Sequence, residues 1–432
     1  MNRLPRLVRC RAVMVLLGLF SAGQAWATDL KTEVEPALEG IAAKVIAWRR
    51  DFHEHPELGN REVRTAKVVA DHLRKLGIEV RTGVAHTGVV GTLRGGKPGP
   101  VVALRADMDA LPVTEPEGLP FASKVKVMWK GQETGVMHAC GHDAHVAMLM
   151  GAAEALAGIR EELPGTVKFI FQPAEESPPA GEEGGAKLMI AEGVLDGRDA
   201  PQAIFGLHVL PLLTGNLYVK PEGAMAAADE LFITVTGQQT HASMPWRGVD
   251  PITVAAQILL ALQTITSRQV DLTIAPAVIS VGSIHGGNRG NIIPDEVMMS
   301  GSIRTFDPDV LARVLARMEE IIAGVVAAFG AEYQFDHSTL PAVVNDAACA
   351  DIARRAAAGF LGAARVRPER MMGSDDMAYF LQARPGAYFL LGGGNVEKGI
   401  THPHHHPKFD FDEDCLGLGV ELALRVIEEA SR

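Results

Sequence analysis

Three short apolar runs, each handing over to an acid or a histidine, constrain this chain more than any other feature. Val101-Val102-Ala103-Leu104-Arg105-Ala106 runs into Asp107-Met108-Asp109. Residues 167–171 lead into Gln172-Pro173-Ala174-Glu175-Glu176, and Ala203-Ile204-Phe205-Gly206-Leu207 ends in His208. Continuous rather than alternating apolar runs are what a parallel strand buried on both faces requires. Helical stretches lie between them, so the chain predicts an α/β domain with a mixed, mostly parallel sheet. Ligands of such open sheets bind beyond the carboxyl ends of the strands. That rule brings Asp107, Asp109, Glu175, Glu176 and His208 to one edge.

The stretch Met137-His138-Ala139-Cys140-Gly141-His142-Asp143-Ala144-His145 is expected at the same edge. Cys140 and His142 stand two apart on a loop that enters a small-residue helix over 147–157, and a helix N-terminus favours a thiolate. Thiolate and imidazole together suit a borderline-soft divalent ion such as zinc, nickel or cobalt. A buried cysteine beside a surface histidine would give the same pair, but convergence with three strand ends favours the metal. Upstream, a helical pattern over 38–76 is broken by His53-Glu54-His55-Pro56-Glu57-Leu58-Gly59. His53 and His55 could be ligands, although a polar turn between two helices is the simpler reading. Towards the end, Thr401-His402-Pro403-His404-His405-His406-Pro407-Lys408-Phe409 carries four histidines. Such a tract can scavenge metal at a surface; beside a metal constellation, one of the four reads better as its missing ligand.

Around 221–225 the pattern changes. Residues 230–237 alternate as a strand, Pro251–Arg268 is helical, and 277–285 and 297–306 are strands. Pro308–Phe329 is an amphipathic helix and 331–335 a last strand. The order strand-helix-strand-strand-helix-strand is that of a ferredoxin-like α/β sandwich, here inserted over 226–336. The first domain would then comprise 28–225 and 337–432, the second part adding a helix over 346–361, a strand over 387–391 and a final helix.

Residues 1–27 read as an address. Arg3, Arg6, Arg9 and Arg11 flank an apolar stretch too short to span a bilayer, and Ala25-Trp26-Ala27 fits a small-x-small cleavage site. The expectation is a cleaved signal peptide and a periplasmic or secreted protein with no membrane association after cleavage. The remaining chain of roughly 400 residues exceeds what one core usually holds, hence two domains. Losing four arginines takes the formal charge from −11 to −15, which disfavours nucleic acid and anionic membrane surfaces as partners. Cys140, Cys349 and Cys415 remain, an odd and sparse set that is no disulfide scaffold and leaves at least one thiol free.

Taken together, these motifs resemble the di-metal aminoacylase/carboxypeptidase family, in its amidohydrolase branch of hippurate hydrolases and indole-acetyl-amino-acid hydrolases. The resemblance rests on Arg50-Asp51-Phe52-His53 with Pro56-Glu57-Leu58, Arg105 to Pro112, Met137 to His145, Gln172 to Glu176, Gly206-Leu207-His208 and His405-His406-Pro407-Lys408-Phe409, in this order. It implies a catalytic α/β domain interrupted by a lid domain that makes a homodimer, and two divalent ions per subunit (zinc, manganese, nickel or cobalt). Cys140 would bridge the ions; His142 and His208 would complete one site, Glu176 and His405 the other. Glu175 matches the general base, and Asp109 the acid that orients a ligand from behind. His241, in Thr240-His241-Ala242-Ser243-Met244-Pro245, would reach the partner's active site and hydrogen-bond the oxyanion. Asn291 and Arg304 would hold the substrate carboxylate, Arg304 through its fork geometry. Gly393, within Gly392-Gly393-Gly394, would let substrate approach the backbone.

The chemistry has its own logic. Two ions roughly 3.5–4 Å apart can share and acidify a water and polarise an amide carbonyl. An adjacent carboxylate not committed to metal can move the proton to the leaving amine. The chain departs from the family in Asp375-Asp376-Met377, where Glu-Asp-Phe is usual, and in Gln238-Gln239 before His241. The expected activity is hydrolysis of the amide of an N-acyl amino acid. The alternatives are a carboxypeptidase or dipeptidase of the same family, or a non-catalytic member that binds amino-acid conjugates.

Overall fold

The computed structural model describes residues 31–432; the signal-peptide reading of residues 1–27 lies outside them. In chain order, helix α1 (Ile41–Glu54) precedes strands β1 (Glu79–Val84), β2 (Gly88–Arg94) and β3 (Lys97–Asp107). Helix α2 (His142–Gly158), β4 (Pro164–Gln172), β5 (Ala203–Leu213) and β6 (Leu217–Tyr218) follow. Next come β7 (Ala228–Thr236), α3 (Pro251–Arg268), β8 (Ala277–Gly286), β9 (Glu296–Thr305), α4 (Pro308–Phe329) and β10 (Glu332–Leu340). The chain closes with β11 (Val366–Arg367), β12 (Gly386–Gly394) and α5 (Asp414–Ala430).

Eight of these strands form one sheet in the order β1-β2-β4-β3-β5-β12-β6-β11. Its centre, β4-β3-β5-β12, is parallel, and antiparallel pairs β1–β2, β2–β4 and β12–β6 flank it. The expected parallel strands are therefore the buried middle of a mixed sheet. The antiparallel strands β1 and β2 carry no continuous apolar run, and Gly83, Gly88 and Gly91 interrupt their pattern. Helix α2 shows no amphipathic stripe because fourteen of its seventeen residues are buried. It lies between the sheet and helices α1 and α5, and its alanines, glycines and methionines permit that close packing.

Strands β7–β10 make a second, all-antiparallel sheet in the order β8-β9-β7-β10. Numbered along the insert this is 2-3-1-4, the ferredoxin-like arrangement expected. Its two helices begin and end where the sequence puts them because each has a clear start. The Asp250 carboxylate accepts from the N–H groups of Ile252 and Thr253, and Asp307 from those of Asp309 and Val310. A proline follows each cap, where its missing N–H costs nothing. This sheet and its helices enclose their own apolar cluster, including Leu231, Ile258, Ile303 and Ile322. The last strand runs to Leu340, beyond its expected end at 335, because it goes on pairing with β7 as far as Ala228. Among the described residues no helix is long and apolar enough to cross a membrane.

Candidate metal centre

The parallel strands bring the acids and histidines together at their carboxyl ends. Asp107 and Gln172 end β3 and β4 in register with one another, so Asp109 and the turn carrying Glu175 and Glu176 emerge side by side. The Asp109 carboxylate accepts from the backbone N–H groups of Glu175 (3.0 Å) and Glu176 (2.9 Å). Glu62, buried, accepts from the N–H of Ala174 at 2.9 Å, a residue held at φ 51°. These two acids fix a strained turn, and strain of this kind persists only where the surroundings over-determine it. His208 lies inside β5 rather than at its end; the strand continues to Leu213 alongside β12.

Gly141, at φ 96°, turns the chain from the Cys140 loop into α2, a conformation that only glycine adopts without strain. The two buried histidines that flank Cys140 are oriented alike. His142 Nδ1 donates to the Asp109 carbonyl at 2.8 Å, and His208 Nδ1 to the Val209 carbonyl at 2.8 Å. A donating Nδ1 leaves Nε2 as the free lone pair, which is the tautomer a metal ligand needs. His208 Nε2 stands 3.5 Å from Cys140 Sγ, and His142 Nε2, buried, has no hydrogen-bond partner. On the other side of Cys140, His405 Nε2 comes within 2.9 Å of Glu176 Oε1, yet that oxygen accepts no hydrogen bond. Metal-ligating atoms crowded together in this way, with His142 Nε2 left without a partner, fit a common cation between them.

The donor atoms of Cys140, His142 and His208 lie within 4.8 Å of one another, and so do those of Cys140, Glu176 and His405. Two triads thus share one thiol, the geometry of a bridged pair. Electrostatics point the same way. Burial, then Glu176 and Glu175, push the Cys140 thiol well above its ordinary range, so only a cation would hold a thiolate there. Burial also lowers His142, but Asp107 and Asp109 outweigh it and raise the imidazole to about 10; an incoming ion would displace that proton. Burial, then His145 and His404, hold His208 neutral. The donor set fits two divalent ions.

Glu175 belongs to neither triad; its Oε2 lies 3.8 Å from His142 Nε2. Burial, followed by Asp375, Glu176 and Asp376, raises its carboxyl well above the usual range. Behind it, buried Arg105 faces Asp107 (2.7 Å), Asp376 (2.9 Å) and Asp375 (3.3 Å). Removing such a guanidinium would strand several buried carboxylates, a loss on the order of 3–5 kcal/mol. Asp375 accepts from the Tyr388 hydroxyl at 2.6 Å.

Not every candidate comes to the centre. His53 is no ligand and no turn residue; it is buried in the last turn of α1 and bonded to Asp143 and Glu115. His55 lies on the surface. Of the late histidines only His405 joins a donor triad. His404 meets the Val209 carbonyl through Nε2, and His402 stacks on His406. Gly393 is buried inside β12, where an added Cβ would meet Val209 and Phe411. It does not line the cavity beside the centre. Arg304 does line the cavity of about 1090 Å³ beside the centre, with Ser374, Tyr379 and three methionines. His241 and Asn291 are exposed on the insert and do not line it. Sequence reasoning left out His145, whose Nδ1 meets Asp107 at 2.5 Å while its Nε2 accepts from the Val209 N–H. Its spacing of three from His142 on a helix was the available signal.

Comparison with known proteins agrees with this geometry. Residues 103–429 match the model of peptidase family M20/M25/M40. Thermostable carboxypeptidase 1 of Saccharolobus solfataricus is 42% identical over 90% of this chain and 96% of its own length. An N-acetylcysteine deacetylase of Bacillus subtilis is 39% identical over 89% of this chain and 97% of its own. Among solved structures, a dinuclear metal-binding peptidase of the M20 family from Bacillus subtilis superposes with a TM-score of 0.75. It shares 36% identity and covers 90% of this chain and 98% of that one.

Proposed function

This chain belongs to peptidase family M20/M25/M40, and on that ground we propose that its centre cleaves the amide of an N-acyl amino acid. The observation that carries the reading is Glu175 beside two donor triads that share Cys140 while belonging to neither of them, with Arg304 lining the same cavity. Cys140, His142 and His208 would hold one divalent ion, and Cys140, Glu176 and His405 the other. When bound, the ions would supply the Lewis acidity that activates water and polarises the scissile carbonyl. Glu175 takes the proton of the attacking water and delivers it to the leaving amine nitrogen. Asp109 holds both glutamates in place through their backbone N–H groups. Arg304 binds the substrate carboxylate, a group that N-acyl amino acids and carboxypeptidase substrates share. A thiolate and three imidazoles favour zinc, nickel or cobalt, and the Glu176 carboxylate in the second triad also admits manganese.

The active species in this reading is a homodimer. Leu260, Leu272, Ile274 and Ile284 are large apolar side chains exposed on the insert, and β8 forms a free edge of its sheet. A second copy paired on that face would cover them, and it would carry His241 and Asn291 towards the neighbouring centre. The leader-like residues 1–27 support export to the periplasm or beyond.

Release of free amino acid from N-acetyl, N-benzoyl and indole-acetyl amino acids, compared with dipeptides, tests the reading. Each assay follows reconstitution with zinc, manganese, nickel or cobalt. Hydrolysis of at least one N-acyl series, abolished by a chelator and restored by metal, is the expected result. Cleavage confined to peptides would instead favour the carboxypeptidase reading, to which the Saccharolobus relative lends weight. Cys140→Ser is expected to lower the content of both ions, since one thiol serves both triads. Full occupancy by elemental analysis in that variant would remove Cys140 from the bridge.

A further inference from the structure

The motif around Arg49 and His53 takes no part in the chemistry described above, yet it contains a second fully buried guanidinium near the centre, besides that of Arg105. Arg49 projects from α1 and is 1% exposed. Its Nε donates to Asp143 Oδ2 at 3.0 Å, Nη2 to Asp410 Oδ1 at 3.0 Å and Nη1 to Glu413 Oε1 at 3.3 Å. The ring of Phe411 lies 4.3 Å from the guanidinium carbon. Asp143 follows His142 directly, and Asp410 stands five residues after His405. One side chain therefore ties together the segments that carry ligands of the two triads.

We infer that Arg49 is a positioning residue that holds His405, and with it the Cys140–Glu176–His405 triad, in register with the Cys140 loop. The inference rests on the ligand assignment proposed above. The two triads differ in how else they are held. His208 belongs to a central strand and His142 to the first turn of a buried helix. Residues 401–413 form no helix or strand. Close to the ligand they are tied by the His405 N–H to the Ala139 carbonyl at 2.7 Å and by His404 to Val209. His405 itself sits at φ 63°, a conformation that needs outside support. The planar fork of arginine can meet three carboxylates at once, whereas lysine is a single point charge. Losing the fork releases the loop that carries His405 while the strand and helix keep their ligands.

Cobalt(II) titration of the metal-stripped full-length protein, read by equilibrium dialysis and by the thiolate–cobalt absorption band, tests this. The variants are Arg49→Lys and Asp410→Asn; the Asp410 side chain is 28% exposed, so its replacement leaves the fold intact should the arginine variant fail to fold. The wild type should take up two equivalents. Each folded variant should bind the first equivalent within about threefold of wild type and the second roughly 10- to 100-fold more weakly, the range for an outer-sphere partner. A merely structural role would lower thermal stability and weaken both equivalents alike, and that result overturns the inference. So does unchanged binding of both in Asp410→Asn. A wild type that takes up one equivalent would instead refute the two-ion reading itself.

Discussion

Replacing Glu175 with glutamine is expected to leave both ions and the substrate bound while turnover falls by about two orders of magnitude or more, the loss typical of a general acid–base. The amide keeps the size and shape of the side chain but can neither take the proton of the attacking water nor return it to the amine. Because substrate contacts at Arg304 are untouched, the loss should appear in kcat with KM little changed. Glu176→Gln should behave differently. Its carboxylate is one of three donors around the second ion position, so that variant should retain one ion per chain by elemental analysis. The two residues are neighbours in sequence, and what separates their roles is the turn at Ala174 and Ser177, both at positive φ. If the phenotypes came out exchanged, base and ligand would have to be exchanged as well.

The legible parts of this chain were those where a local pattern and its tertiary use coincide. The apolar runs of β3, β4 and β5 could be read as buried parallel strands because burial on both faces leaves no room for polar alternation. The helices of the insert could be placed to the residue because Asp-Pro starts them and, for α4, Gly330 in the left-handed region ends it. The second ion position was legible only through the family motif, since His405 is brought to Cys140 by a loop whose course no periodicity describes. For Gly393 the sequence leaves two readings open for a physical reason. A glycine triplet next to a strand can mean open backbone or backbone packed too tightly for a side chain, and sequence does not separate the two. The Arg49 cluster was invisible as a cluster because Arg49, Asp143 and the segment carrying Asp410 and Glu413 are far apart along the chain. The small hairpin Lys126–Trp129 and Gln132–Gly135 was missed as well; its strands are too short and polar to leave a signal.

Mixing two inactive variants is expected to restore activity if His241 serves the neighbouring subunit. In a single chain His241 is exposed, and its Nδ1 accepts from the Ser243 N–H at 3.1 Å. The Asn291 carbonyl accepts from the next residue, Ala242, at 3.0 Å. The two side chains thus stand on one small platform, and neither lines the cavity beside Glu175. In the proposed dimer, an imidazole that stabilises the oxyanion from such a platform would act across the subunit boundary. His241→Ala alone should lower kcat roughly 10²- to 10³-fold, the size expected for one oxyanion donor, with metal content and dimer mass unchanged. In a mixed dimer of His241→Ala and Glu175→Gln chains, one site would contain both lesions and the other neither. Such a dimer should recover about half of the wild-type activity, because symmetry gives each dimer two sites and one of them is whole. If His241 acted within its own chain, each site of the mixed dimer would carry one lesion and no activity would return. Absence of recovery in a preparation shown by mass to contain mixed dimers would therefore exclude the shared site, whatever the single variants do.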